Sequence, residues 1–284
     1  MPIEVRHLTH IYAPGTPFET RALDDVSFIV NDGEFVGLIG HTGSGKSTLI
    51  QHLNALMTPT SGNVLVDGED INESANRREV RRKVGLVFQY PEYQLFEETV
   101  EKDVGFGPGN QGLGEAEIRS RVREALTLVG LPESEWQKSP FELSGGQKRR
   151  AAIAGVLATK PRVLILDEPA AGLDPAGRAD MASLVRRIHE SGATVIMVSH
   201  SMDDVARLCG RILVMNRGRL VLDGTPEAVF SHAETLEGMG LSIPTAARLR
   251  DRLNARGFDI PASAYTAERL AECLIARLRP NTTA

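Results

Sequence analysis

Residues 40–47 place the strongest constraint on how this chain folds. They read Gly-His-Thr-Gly-Ser-Gly-Lys-Ser and match the phosphate-loop pattern G-x-x-x-x-G-K-[ST]. The apolar run at 35–39 is typical of a strand buried on both faces, and residues 47–53 begin a helix. Glycines let backbone N–H groups approach phosphate oxygens, and a helix N-terminus adds partial positive charge. The segment therefore predicts an α/β fold with a phosphate-binding loop, rather than a glycine-rich turn that binds nothing.

The same loop carries side chains suited to a polyphosphate. Lys46 supplies a full positive charge for the β- and γ-phosphates, and the hydroxyl of Ser47 can ligate Mg²⁺. His41 is compatible with the role because its position contributes mainly backbone. The residues expected to bind the nucleotide here are Gly40, His41, Thr42, Gly43, Ser44, Gly45, Lys46, Ser47 and Thr48.

A second motif places two carboxylates at the end of an apolar strand. Residues 163–169 read Val-Leu-Ile-Leu-Asp-Glu-Pro, and open α/β sheets bind ligands at the carboxyl ends of their strands. Asp167 is expected to hold Mg²⁺ through water, and Glu168 to polarise the water that attacks the γ-phosphate. Such a pair elsewhere is usually solvated surface, but beside a phosphate loop it predicts hydrolysis.

A third motif, Leu-Ser-Gly-Gly-Gln at 143–147, opens a basic helix. A Ser-Gly-Gly helix start is a second cluster of N–H donors suited to phosphate. A nucleotide that is already held by one loop does not need another such cluster from the same chain. We therefore expect this segment to cap a nucleotide held by another subunit.

Taken together, the three motifs resemble the ATP-binding cassette (ABC) family, whose signature is Leu-Ser-Gly-Gly-Gln. The resemblance implies an ATPase that uses ATP and Mg²⁺, in a dimer with a second cassette ATPase. It implies that Tyr12 stacks on adenine, that Gln89 touches Mg²⁺ or the attacking water, and that His200 contacts the γ-phosphate. Asp174 falls in the segment that crosses the dimer interface. The implied catalytic residues are Lys46, Gln89, Glu168 and His200; those expected to contact the partner's nucleotide are Ser144, Gly145, Gly146 and Gln147.

Two further stretches resemble a narrower group, the ATPases of energy-coupling factor transporters. These are residues 88–108, which include Tyr-Pro-Glu-Tyr-Gln-Leu-Phe, and the tail from 224 to 261. The sequence Tyr-Pro-Glu-Tyr-Gln-Leu-Phe looks more like that of the second of the group's two paralogous ATPases. The resemblance implies a peripheral protein at the cytoplasmic face of the cell membrane. Its implied partners are an integral membrane scaffold subunit and a substrate-binding membrane subunit, and it powers import of a vitamin or transition-metal ion.

In that group the segment after Gln89 receives a helix of the scaffold. Tyr93, Leu95 and Phe96 are large side chains in this segment, and an exposed apolar cluster suits a helix-in-groove contact. The alternative is that all three pack inside the helical subdomain.

The domain organisation follows from a change in pattern near residue 225. Residues 1–225 alternate short apolar runs with helical patterns, as a nucleotide-binding domain with an antiparallel β flank and a helical subdomain at about 92–160 would. Beyond them, Ala246, Leu249 and Leu253 recur at helical spacing, as do Leu270, Leu274 and Leu278. We therefore predict a small helical extension over 226–284.

Composition limits the partners. Lys and Arg total 32 against 37 Asp and Glu, which gives a net charge of −5, so the broad positive field of a nucleic-acid-binding protein is not expected. No apolar run approaches the roughly 18 residues that cross a bilayer. The first residues have no hydrophobic signal core, so we expect the chain to stay in the cytosol.

Several alternatives remain open at this point. The main one is the ATPase of an ordinary importer that uses an extracytoplasmic binding protein, and another is a regulatory module that binds ATP without hydrolysing it. Whether the second cassette is identical or a paralogue, and which compound is carried, are not readable from these residues.

Overall fold

The computed structural model describes residues 3–278, so the last six residues of the predicted extension, 279–284, lie outside it. Its strands are β1 (Ile3–Tyr12), β2 (Thr20–Val30), β3 (Phe35–Ile39), β4 (Ser61–Val66), β5 (Glu69–Asp70), β6 (Val84–Val87), β7 (Val163–Asp167), β8 (Thr194–Val198), β9 (Arg211–Asn216) and β10 (Arg219–Gly224). Its α-helices are α1 (Lys46–Leu53), α2 (Asn76–Lys83), α3 (Val100–Asn110), α4 (Glu115–Leu128), α5 (Gly145–Leu157), α6 (Pro175–Glu190), α7 (Met202–Leu208), α8 (Pro226–Phe230), α9 (Ala233–Gly238), α10 (Thr245–Asn254) and α11 (Ala267–Leu278).

A six-stranded sheet carries the three strands that precede the predicted site residues. Its order is β10-β9-β3-β8-β7-β6, and all neighbouring pairs are parallel except β9 with β10. Strands β3, β8 and β7 are adjacent, so their carboxyl ends meet at one edge. The loop at 40–45, the acidic pair and His200 follow these ends. Nearly every residue of the three strands is buried, which confirms the predicted parallel core.

A smaller antiparallel sheet, ordered β2-β1-β4-β5, lies beside the phosphate loop. Its inward residues, among them Val5, Leu23 and Val64, share one apolar core with Leu49 and Ile50 of α1. This sheet therefore holds the helix that follows the loop, and it confirms the predicted antiparallel flank.

Helices α3, α4 and α5 come between β6 and β7 in the sequence and pack against one another. Their apolar residues, including Val104, Val122 and Ile153, join the core that covers the other face of the parallel sheet. Leu95 also belongs to this core and is buried. The expectation that Leu95 shares an exposed cluster with Tyr93 and Phe96 is therefore wrong, whereas Tyr93 and Phe96 are exposed.

The C-terminal helices form a small core of their own. Ala246, Ile260, Ala264 and Leu270 are buried together, and Leu253 and Leu274 pack against them. Leu249, although at the same helical spacing, is exposed, and the side chain of Leu278 lies outside the described part. No helix within residues 3–278 has both the length and the apolar character needed to cross a membrane.

Candidate nucleotide-binding site

One cleft of about 500 Å³ gathers most of the predicted site. It lies at the carboxyl edge of the parallel sheet, between the phosphate loop and the strands of the smaller sheet. The predicted residues that line it are Tyr12, Thr42, Gly43, Gly45, Lys46, Ser47, Thr48, Gln89, Asp167, Glu168 and His200. Residues from five separate stretches of sequence therefore meet at one surface.

The loop conformation depends on its glycines. Gly43 and Gly45 have φ of 81° and 104°, a region that favours glycine. A Cβ on Gly45 would lie 2.6 Å from the carbonyl oxygen of Ala22, and one on Gly40 would lie 2.4 Å from that of Met215. Neighbouring backbone therefore approaches the loop too closely for any side chain there.

Two other predicted loop residues build the base of the loop and do not line the cleft. Ser44 is buried, and its backbone oxygen accepts a hydrogen bond from the N–H of Gly218 at 2.9 Å. His41 Nε2 lies 3.1 Å from Asn216 Oδ1, and its Nδ1 lies 2.7 Å from the carbonyl oxygen of Thr42. These contacts tie the loop to the end of β9 and its turn.

Lys46 begins α1, and its side chain folds back onto the loop. Its ammonium donates to the carbonyl oxygens of Gly40 at 2.7 Å and His41 at 3.0 Å, and the residue is only 6% exposed. Burial lowers the pKa of Lys46, although the carboxyl groups of Glu168 and Asp167 oppose that shift. A phosphate anion would therefore relieve a charge that the site has already desolvated.

The two carboxyl groups are also desolvated. Burial raises the pKa of Asp167, opposed by the charge of Lys46. Burial likewise raises the pKa of Glu168 to about 7, opposed by its hydrogen bond from the backbone of His200. A carboxyl group with a pKa near neutrality suits a general base, because it can both take and release a proton at working pH.

Glu168 is held in a costly position. Its φ is 51°, which for a residue with a long side chain costs roughly 1–3 kcal/mol. The backbone is fixed there because Glu168 N–H donates to Val198 O and Glu168 O accepts from Ala171 N–H, both at 3.0 Å. Its Oε1 lies 3.2 Å from Nε2 of His200, yet without hydrogen-bond geometry, so this buried oxygen has no hydrogen-bond partner within residues 3–278.

Tyr12 stands at the other end of the cleft. Its hydroxyl lies 3.1 Å from Oγ1 of Thr48, and its ring packs edge-on against His10 with centroids 4.6 Å apart. The ring is 39% exposed. These contacts fix the ring while leaving a face for a flat ligand such as a nucleobase.

The signature segment lies elsewhere. Ser144 caps α5 in a capping box, because Gln147 N–H donates to Ser144 Oγ at 3.4 Å and Ser144 N–H donates to Gln147 Oε1 at 2.9 Å. Ser144, Gly145 and Gly146 are exposed. We call the depression lined by Ser144, Gly146, Gln147, Leu173 and Gly177 the signature face. It shares no residue with the lining of the nucleotide cleft.

Asp174 caps helix α6 and does not line the cleft. Its Oδ1 accepts a hydrogen bond from Gly177 N–H at 2.7 Å, and the residue is exposed beside the signature face. Both the signature and Asp174 are therefore presented to the outside of this chain.

Arg149 connects the signature helix α5 to the cleft side of the molecule. The sequence motifs did not predict this role. It is buried in α5, and its guanidinium donates to both carboxylate oxygens of Glu92 at 3.0 and 2.7 Å. It also donates to the carbonyl oxygens of Pro169 at 3.2 Å and Ala171 at 2.7 Å. Burial opposes the charge of Glu92, yet the hydrogen bonds from Arg149 hold its pKa below the usual value. The signature helix is thus tied to the segment that follows Glu168.

The sequence motifs also did not predict that Thr20, Arg21 and Ala22 line the cleft. They form the start of β2, and β2 pairs with β1, which carries Tyr12. A hairpin between the two strands was the available signal, because it brings the start of β2 beside the predicted adenine site.

The donor set suits Mg²⁺ held together with a nucleotide. Ser47 offers a hydroxyl, Gln89 an amide oxygen and Asp167 a carboxylate, all at the cleft, and Mg²⁺ usually takes one or two such ligands together with phosphates and water. Within residues 3–278 no group of three His, Cys, Asp or Glu side chains is placed to hold a metal on its own.

Comparison with known proteins identifies the fold family. The family model described as ABC transporter matches residues 23–171. The solved structure of cbiO1 from Clostridium perfringens, part of the ABC transporter complex cbiONQ, superposes with a TM-score of 0.74 at 39% identity, over 88% of this chain and 98% of that one. The cassette MJ0796, solved as a dimer bound to ADP and Pi, has a TM-score of 0.70 at 30% identity, over 78% and 98%.

Relatives of nearly the same length narrow the family. The energy-coupling factor transporter ATP-binding protein EcfA2 of C. perfringens is 55% identical over 99% of this chain and all of its own length. EcfA2 of Symbiobacterium thermophilum is 56% identical over 94% of this chain and 93% of its own. These matches confirm the resemblance to the second of the paralogous ATPases. The chain belongs to the ATP-binding ABC ATPases, among the energy-coupling factor transporter ATP-binding proteins of the EcfA2 type.

Proposed function

We propose that this chain hydrolyses ATP as one half of a cassette dimer, in which each nucleotide lies between one subunit's phosphate loop and the other's signature face. The observation that carries the proposal is the separation of the two surfaces. The nucleotide cleft holds the desolvated charges, whereas Ser144, Gly145 and Gly146 are exposed and do not line that cleft. The dimeric MJ0796 cassettes supply a precedent for such a pair.

Within one half-site we assign roles from the positions of the side chains. Tyr12 stacks on adenine, the loop from Gly40 to Thr48 binds the phosphates, and Lys46 neutralises the β- and γ-phosphate charge. Ser47, Gln89 and, through water, Asp167 would hold Mg²⁺, which would supply positive charge to the developing phosphate charge.

Hydrolysis needs a base and a group that senses the γ-phosphate. Glu168 takes a proton from the attacking water, and Gln89 orients that water. His200 contacts the γ-phosphate, and its position 3.2 Å from Glu168 Oε1 couples that contact to the base. Asp174 and the signature residues Ser144, Gly145, Gly146 and Gln147 act across the interface on the partner's nucleotide.

ATP closes the dimer because its γ-phosphate offers charge-assisted hydrogen bonds to both subunits at once. Hydrolysis removes that bridge, and the dimer reopens. We propose that residues 1–225 form the nucleotide-binding domain, with the helical subdomain at 92–160, and that residues 226–284 form an extension. The motion reaches the membrane partner at the exposed Tyr93 and Phe96.

The closest fit among biological roles is import of a vitamin or transition-metal ion at the cytoplasmic face of the membrane. The partners are a second cassette, a membrane scaffold subunit and a substrate-binding membrane subunit. Relatives that match 99% and 94% of this chain are both named as energy-coupling factor transporter ATP-binding proteins, and that name supports the transporter role.

The test is ATP hydrolysis as a function of dimerisation. We expect phosphate release per chain to fall steeply as the protein is diluted to a verified monomer, and to recover when a second cassette is added. Full-rate hydrolysis by a monomer would refute the shared-site mechanism. Native-membrane pull-down then separates the transporter types: a small scaffold without an extracytoplasmic binding protein supports our assignment, and a binding-protein-dependent permease supports the alternative importer.

A further inference from the structure

Arg21 is a charged side chain on the wall of the nucleotide cleft to which no role has been given. It lines the cleft with Tyr12 and Lys46, and its side chain is 57% exposed. Its Nη1 donates to Oδ1 of Asp24 at 2.7 Å. Among the described residues, its Nε and Nη2 donate to nothing. The guanidinium therefore has unused donors at a site that is expected to receive an anion.

The position of Arg21 along β2 says which part of a nucleotide it would meet. In the ladder with β1, Thr20 lies opposite Tyr12 and Arg21 opposite Ile11. The next residue, Ala22, is the one whose carbonyl oxygen lies against Gly45. Arg21 therefore lies between the predicted adenine position and the phosphate loop. In a nucleotide, the ribose and the α-phosphate occupy the corresponding place.

The strand has an irregularity at this point, because His10 lies opposite Leu23 whereas the next residue, Ile11, lies opposite Arg21. Leu23 is buried against the loop, with its Cδ2 3.0 Å from where a Cβ on Gly45 would lie. Arg21 instead stays exposed on the wall of the cleft.

Asp24 holds Arg21 in this place. Its Oδ2 accepts from Arg219 Nε at 2.7 Å while Oδ1 accepts from Arg21, and its backbone N–H donates to Gly218 O at 2.9 Å. The hydrogen bonds from Arg21 and Arg219 keep the pKa of Asp24 below its usual value. Asp24 therefore stays charged, and Arg21 loses less conformational freedom when it binds.

We propose that Arg21 binds the α-phosphate of the nucleotide held in this cleft. A guanidinium suits this contact because its planar fork matches the oxygens of a phosphate. The inference rests on the proposed nucleotide site. It adds a contact that involves neither the base nor the γ-phosphate.

The test is binding of ATP, ADP and 2′-deoxy-ATP by calorimetry to the full chain and its variants. Because the contact is partly solvated, we expect R21A to weaken ATP and ADP by the same factor, about three- to tenfold. The loss with 2′-deoxy-ATP should equal the loss with ATP, and R21K should recover part of it. R21Q, which keeps most of the side-chain volume, replaces R21A if that variant has a lowered unfolding temperature without nucleotide.

Arg219 supplies the matched control, because it shares Asp24 with Arg21 but does not line the cleft. R219A should bind ATP as the unaltered chain does. Unchanged ATP binding by R21A would overturn the inference, as would an equal loss in R219A. A loss confined to ATP would indicate the γ-phosphate instead, and a smaller loss with 2′-deoxy-ATP would indicate the ribose; either result refutes the α-phosphate assignment. If K46A and the unaltered chain bind ATP alike, the proposed site itself fails, whatever R21A does.

Discussion

The nucleotide cleft and the signature face treat their polar groups in opposite ways. In the cleft, Lys46 and Glu168 are desolvated, and Oε1 of Glu168 lacks a hydrogen bond within the described chain. On the signature face, Ser144 and Gln147 satisfy each other and remain at the surface. Groups that a fold leaves desolvated are stabilised by a charged ligand, whereas groups that are already satisfied need none. The difference favours a cleft that is completed by a charged ligand and a signature face that is completed only by a group approaching from outside.

The largest expected effect comes from removing the base in the cleft. E168Q keeps the side-chain volume but cannot take a proton, so turnover should fall by about a thousandfold. ATP binding should persist or strengthen, because the substitution removes a negative group near the phosphates. Phosphate release and calorimetric ATP binding measure the two effects. Normal hydrolysis by E168Q would show that Glu168 is not the base.

The connection between the two regions predicts the next effect. R149A strips Glu92 and two backbone carbonyls of their buried donor, so the free energy of unfolding should fall by about 3 kcal/mol. Urea denaturation measures this. R150A is the matched control: Arg150 is the next residue, and it donates to the carbonyl oxygen of Val129 at 3.3 Å and pairs with the exposed Asp180. Its removal should cost about 1 kcal/mol, clearly less than R149A. Equal losses in the two variants would contradict the assigned connection.

The signature face can be tested without disturbing the monomer. A Cβ on Gly146 would meet no atom within 4 Å, so G146A should leave folding intact. In the dimer that methyl would displace the partner's nucleotide, and a shift of about 1 Å costs up to roughly a hundredfold in rate. We therefore expect slow turnover with an unchanged unfolding temperature and normal ATP loading in the variant's own cleft.

Mixed dimers show where the G146A defect acts. In a dimer that pairs G146A with a K46A subunit, the intact loop of the G146A chain should face the intact signature of the K46A chain. One complete nucleotide site should therefore remain, and hydrolysis should persist. If that dimer loses hydrolysis as both parent variants do, the signature acts within its own chain and the comparison between the two regions breaks down.

The smallest effect is the pH dependence of the cleft. Burial raises the pKa of Glu168 to about 7, and the base works only when deprotonated, so kcat/KM should rise about tenfold from pH 6 to pH 8. The same pKa shift affects the free energy of unfolding in the opposite direction: this contribution decreases as pH rises, whereas kcat/KM increases. The folded state holds the Glu168 proton more tightly than the unfolded chain, so this contribution is present at low pH and is lost as pH rises from 4.5 through about 7.

E168Q provides the control for both pH measurements. Its free energy of unfolding should lack the component that the unaltered chain loses over this pH range. A flat kcat/KM between pH 6 and pH 8 would show that Glu168 is not the titrating base. Nucleotide affinity measured over the same range separates binding from the chemical step.

The contiguous motifs could be predicted because each carries its mechanism within a few residues. The glycines at 43 and 45, the strand before them and the helix after them suffice to predict the loop, and the aliphatic strand before Asp167 predicts where that carboxylate lies. The placement of Leu95 could not be predicted in this way. Whether a large apolar side chain in a loop is covered depends on helices that come later in the chain, here α3 to α5.

The sequence by itself determined the α/β cassette core, the family and the chemical groups offered to a nucleotide, since these follow from local patterns of glycine, charge and apolar spacing. Only the tertiary structure decided which of those groups are desolvated, that Glu168 is held at a positive φ, and that the signature lines a depression separate from the cleft. It alone placed Arg21 beside the loop and Arg149 between the two regions. The reason is that burial, strain and electrostatic contact are set by residues far apart in the chain, which no short pattern contains.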